Sequence, residues 1–129
     1  MTEITANVNW LAVGVGTIVS FIVGALWFSP KVFGTKWLEG VGLKLEANAS
    51  MPMAPMIAQF IGTFLLAWVV GVTAVSEALF TIILIAITIM VLVIANGLFI
   101  RKSNYAITVE AGFIAAMVAI MVVVQGIFH

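Results

Sequence analysis

ALFTIILIAITIMVLVIANGLFIRK, residues 78–102, decides the fold. Positions 78–100 hold no charged residue, and Arg101-Lys102 stop the run. A bilayer's hydrocarbon core of about 30 Å needs about 20 mainly apolar helical residues, and this run meets that length. Ile, Leu and Val cover most of its circumference without strand-like alternation, so barrel strands are not indicated. A helix satisfies its own backbone polar groups in lipid and is the default. Working outward, three further runs share this character: 8–28, closed by Ser29-Pro30; 56–75, which follows the Pro-containing 51–55; and 105–128, before His129.

The composition agrees. Of 129 residues, 64% are hydrophobic and 8% charged, against about 45–50% and about 25% in ordinary soluble domains. A soluble globule of this length cannot cover its surface with so few polar groups. Five Lys+Arg, scattered along the chain, form no basic patch for nucleic acid. The absence of Cys excludes disulfides, thiolate metal sites and a Cys nucleophile. The expected fold class is all-α: a single transmembrane domain over 1–129, built as an integral membrane four-helix bundle with a short amphipathic cytoplasmic helix between spans one and two.

The cations orient this scheme. Lys31, Lys36 and Lys44 fall between spans one and two, and Arg101 and Lys102 between spans three and four. The positive-inside rule puts both connections in the cytoplasm and both termini outside. Met1-Thr2-Glu3 carries no Lys or Arg and the first run is long for a signal peptide's apolar region, so it is expected to stay as a span.

Ser76-Glu77 and 101–104 are connections tight enough to make antiparallel hairpins. The segment 29–55 is longer. Ser29-Pro30 reads as an N-cap followed by Pro at the first helical position. Val32, Phe33, Trp37 and Leu38 then recur at helical spacing, with Gly40 and Gly42 ending the run. This predicts a short helix, either lying in the headgroup layer with Trp37 as anchor or packed under the bundle. Residues 43–51 read as a polar turn, and the sequon Asn48-Ala49-Ser50 as chance.

Small residues let membrane helices approach closely. Span one carries Ala12, Gly16, Ser20 and Gly24 four apart, with Asn9 and Trp27 on the same side. Span two carries Gln59, Thr63, Ala67 and Gly71. These seams predict close crossing, with each other or with a second copy. On span three, Thr81, Thr88, Ala95 and Asn96 gather on one side, leaving the rest to lipid. Span four has Ala111, Gly112, Ala115, Ala116 and Ala119 on one arc and Glu110, Met117, Met121 and Gln125 nearly opposite. It should therefore touch protein on two sides.

Glu110 is the one carboxylate inside an expected span, about 9 Å beyond Asn104 at 1.5 Å per residue. Ionisable groups at membrane depth are functional candidates. Asn96 and Gln59 fall at a similar depth, so Glu110, Asn96 and Gln59 are expected to form a buried polar layer. One reading is a proton- or cation-binding carboxylate. The other is a shallow Glu, hydrated from the cytoplasm or paired with Arg101 or Lys102, that merely fixes packing. Met51, Met53 and Met56 resemble a soft Cu(I) cluster but read as apolar filler. No metal and no cofactor are expected, and no catalytic set is present, so the chain is not expected to be an enzyme.

Asn9-Trp10, the run 24–30 (GALWFSP), Phe33-Gly34, Trp37 and Gly42, with Pro55-Met56 and Gly112 later, resemble the small bacterial membrane proteins grouped as the domain of unknown function family 1761. The resemblance implies a four-helix protein of the bacterial cytoplasmic membrane without an established activity, and carries over no ligand or catalytic residue. Its densest part, Trp27, Ser29, Pro30, Phe33, Gly34 and Trp37, gathers at the cytoplasmic edge of span one, where the polar layer is also placed. The small multidrug exporters have four spans too, but carry an essential Glu in the first; span one here has no acid. The expectation is a non-enzymatic membrane protein, a homo-oligomer or accessory subunit of a larger membrane complex. It would assemble through Gly16, Ser20, Gly24, Ala67, Gly71, Gly112 and Ala116. The alternative is a small proton-coupled transporter using Glu110. Partners would be the lipid bilayer and other membrane chains, with no nucleic acid.

Overall fold

The computed structural model describes residues 2–29, 32–40 and 53–128. Pro30, Lys31, Gly42, Lys44, the segment 43–51 with its sequon and Met51, and His129 lie outside them. The described residues form α1 (Thr2–Thr5), α2 (Trp10–Trp27), α3 (Gly34–Gly40), α4 (Met53–Val75), α5 (Leu79–Phe99) and α6 (Asn104–Ile127), and no strand. Four of these, Trp10–Trp27, Ala54–Val75, Leu79–Phe99 and Asn104–Ile127, are long and apolar enough to cross a membrane.

Caps set the boundaries. The Asn9 side chain accepts from the Ala12 backbone N–H at 3.1 Å, starting α2 at Trp10. Ser103 does the same for Ala106 at the head of α6, as N-cap residues do. Pro55, read as preceding its span, lies inside the first turn of α4, where the missing N–H costs no intrahelical bond. Two hairpin turns close with the same device. The Glu77 and Ala78 amides donate to the Ala74 and Thr73 carbonyls, and those of Arg101 and Lys102 to Leu98 and Gly97. This is the 5→2, 6→1 pattern that needs a left-handed residue. Here Glu77 (φ 52°) and Arg101 (φ 62°) occupy that position without being glycine.

Ser29 does not cap α3, contrary to expectation. Its hydroxyl donates back to the Leu26 carbonyl at 2.7 Å, and its carbonyl accepts from Val32 and Gly34. Ser29 thus belongs to the turn that ends α2, and α3 begins only at Gly34. Gly34 is required there: a Cβ would collide with the Phe28 carbonyl and the Ser29 backbone. α3 packs against α6; Trp37 is half-buried, while Lys36 and Glu39 are exposed.

α6 is the hub, in contact with α2, α3, α4 and α5, while α2 also packs on α4. The core lies towards the α1 side: Val13, Ala67, Val70, Ile82, Met117 and Met121. The small seams are used inside this one chain. Gly16 faces Met121, Gly24 faces the Phe113 ring, and Gly71 faces Val13 and Val8. Ala67 is buried, as is Ser20. Gly112 lies against Trp27, and Ala116 is half-buried, whereas Ala115 and Ala119 are exposed.

α5 corrects one expectation. Thr81, Thr88 and Asn96 are exposed and Ala95 half-buried, while Ile82, Ala86 and Gly97 are the buried residues. The Thr88 hydroxyl donates to the Leu84 carbonyl at 2.8 Å. A threonine that satisfies its own hydroxyl on its own helix needs no protein neighbour, so it does not mark the packed face.

Candidate functional site

On the α3 side the bundle opens into a cavity of about 480 Å³. Its wall draws on every long helix and on α3: Phe28, Trp37, Gln59, Val93, Glu110 and Phe113 all contribute. Ala25, Pro55 and Gln59, which also line it, are exposed, so among the described residues its mouth lies between the ends of α2 and α4.

Aromatic rings build the frame. Phe28 meets Trp37 edge-on at 4.9 Å between centroids and Phe113 at 5.3 Å. Trp27 stacks obliquely on Phe33 at 5.0 Å and approaches Phe113 at 6.0 Å. The Trp27 indole N–H donates to the Val109 carbonyl at 3.1 Å, and the Phe33 amide donates to the Trp27 carbonyl at 3.2 Å. Such pairs add about 0.5–1.5 kcal/mol each beyond their buried area. Lys36 stands over the Tyr105 ring at 5.4 Å. Of the predicted edge motif, Trp27, Ser29, Phe33, Gly34 and Trp37 therefore form one folded corner. Pro30 lies outside the described residues.

Glu110 is held from two directions. Lys102 Nζ lies 2.8 Å from both carboxylate oxygens, and the Trp37 indole N–H donates to Oε2 at 2.9 Å. The ion pair bridges the α5–α6 turn to α6, and the indole bond fastens α3 to the same carboxylate. A further bond, Ser103 N–H to the Gly40 carbonyl at 2.9 Å, docks the end of α3. Gly40 sits so close to Ser103 and Ala106 that a Cβ has no room.

The expected buried layer of Glu110, Asn96 and Gln59 does not form. Glu110 and Gln59 share the cavity, but Gln59 is exposed and Asn96 points elsewhere on the outside of α5. Counting residues from a turn fixes depth along a helix but not direction around it. Gln59 donates from Nε2 to Thr63 Oγ1 at 3.2 Å, and Thr63 donates to the Gln59 carbonyl at 2.7 Å. Trp37 as a direct donor to Glu110 was missed. The available signal was an indole and an acid assigned to the same membrane edge. Phe28 and Phe113 were missed because a ring at helical spacing looks the same facing core or lipid. Met56 lines the cavity, without any cluster of soft ligands being traceable, since Met51 lies outside the described residues.

The architecture is that of a helical bundle with four helices long and apolar enough to cross a membrane and an aromatic-framed cavity at one end. Residues 11–126 match the family described as Protein of unknown function (DUF1761), and the chain belongs to it. No curated protein and no solved structure matches the chain.

Proposed function

We propose that the chain is a non-enzymatic, multi-pass membrane protein whose α3-side cavity binds a small, largely apolar molecule. One observation carries this reading: a single carboxylate, held between Lys102 and Trp37, stands on the wall of a 480 Å³ cavity framed by rings. Ligand pockets have about this size and are mostly apolar with a few placed polar groups. Glu110 is the one ionisable side chain among the described lining residues. The cavity thus offers shape and orientation rather than a nucleophile beside a base.

Proton-coupled transport through Glu110 is less well supported. Lys102 already answers the carboxylate, leaving no unpaired acid within the described long helices to carry a coupling ion. Assembly with a second copy or a larger complex also loses its first argument, because the seams of α2 and α4 are occupied within the chain. It would fall to the exposed Ala115 and Ala119 of α6. For orientation we place the α3 side, with Lys36, Arg101 and Lys102, in the cytoplasm of a bacterial cell, with α1 and the end of α6 outside. α3 then lies at the headgroup layer.

Native mass spectrometry of the protein extracted in mild detergent tests the cavity reading. The wild type is expected to retain a small-molecule adduct that Ala25→Trp, which plugs the mouth, does not. An adduct retained by both proteins, or absent from both, counts against it.

A further inference from the structure

Resting on that reading, we infer that the ligand is an uncharged lipophilic molecule that donates a hydrogen bond from an O–H or N–H group, as a phenol or long-chain alcohol does. Three observations lead there.

The first is charge. Glu110 and Lys102 cancel, and no other ionisable side chain is among the described lining residues. A cationic or anionic ligand would leave water for an apolar cavity without a counter-charge, which is strongly unfavourable. The second is the polarity of what remains. An ionised carboxylate has about four acceptor directions and no donor. Lys102 and Trp37 take three of them. Among the described residues nothing donates to Gln59 Oε1, while one of its two amide N–H groups serves Thr63. The Trp37 N–H is spent on Glu110. The strongest open position in the lining is therefore an acceptor, the remaining lone pair of the Glu110 carboxylate. Against it stands a single neutral N–H left on Gln59, so a donating ligand is matched better than an accepting one. The third is the wall itself. Phe21, Phe28, Trp37 and Phe113 present ring faces and edges suited to a flat or extended hydrocarbon body.

The test uses three probes with one carbon skeleton: 4-octylphenol, 4-octylanisole and (4-octylphenyl)trimethylammonium. Each is titrated calorimetrically into the full chain in nanodiscs, with empty nanodiscs subtracted. The phenol is expected to bind at least about tenfold more tightly than the anisole, the worth of one hydrogen bond to a charged acceptor, and the ammonium most weakly. Ala25→Trp should remove saturable binding of the phenol. The double variant Lys102→Met/Glu110→Leu keeps the site neutral and should abolish the preference for the phenol over the anisole. The wild-type probe series stands even if that variant does not fold. Equal affinities for phenol and anisole, or tightest binding of the ammonium, overturn the donor assignment while the cavity reading survives. Uptake that is the same in wild type and Ala25→Trp for all three probes overturns the cavity reading as well.

Discussion

The two ends of the bundle solve the packing problem differently. Towards α1, small and branched side chains supply the tight packing, beside a smaller cavity of about 250 Å³ between α4, α5 and α6. Val13 and Met121 are almost fully buried, and Gly16 faces Met121. Towards α3, rings take over, and they frame a space instead of filling it. Interior density depends on interdigitating shapes; flat rings meeting edge to face leave gaps that Val, Ala and Met do not. Rings also pair near α1, where Trp10 meets Trp68 at 5.4 Å, so the two ends differ chiefly in the space left open, about 480 Å³ against about 250 Å³.

That contrast can be broken most sharply at Gly34. Gly34→Ala would drive a Cβ into backbone at the α2–α3 corner, where no side chain can give way. A loss of about 3 kcal/mol is expected, read as a fall in detergent melting temperature with the Trp37 fluorescence turning water-like. Gly14→Ala and Gly62→Ala, whose Cβ atoms meet nothing, should leave both readouts unchanged. Next in size is Lys102→Ala, which strands the half-buried Glu110 with only the Trp37 indole. About 2 kcal/mol should be lost, and Lys102→Ala/Glu110→Ala should recover part of it in a double-mutant cycle. An additive cycle would mean that the pair is not coupled. Gly97→Ala sets a Cβ 2.6 Å from Cγ1 of the buried Ile107, a β-branched side chain stiff at χ1, so about 1.5 kcal/mol is expected from chemical denaturation. Smallest is Ser20→Ala. Its hydroxyl is buried and has no partner among the described residues. Removing it should raise stability by about 0.5 kcal/mol, which would sharpen the picture of the α2 seam as a purely steric one.

Much of this architecture is legible in the residues. Bilayer thickness imposes a length, so runs such as 78–100 announce their helices and miss only by the few residues that caps decide. The pairing of Glu110 with a cation of the 101–102 turn is one of several arrangements the residues leave open, because eight residues of helix and turn bring those groups within reach without long-range information. The indole bond from Trp37 was not legible, since it depends on how α3 returns beneath α6 across a corner set by Gly34. Asn96 shows the same gap: its depth follows from the rise per residue, its direction only from how α5 leans on α6. Threonines misled on α5 because in lipid a hydroxyl bonded to its own helix carries no address.

The position of α6 in the chain has a bearing on biogenesis. Synthesis delivers α2, α4 and α5 before the helix that touches all of them. Until α6 enters the bilayer, the notches at Gly16, Gly24 and Gly97 face acyl chains, and α3 has neither Glu110 nor Ser103 to dock on. α2 and α4 can pair with each other first, while α3 and α5 should sit loosely until α6 arrives.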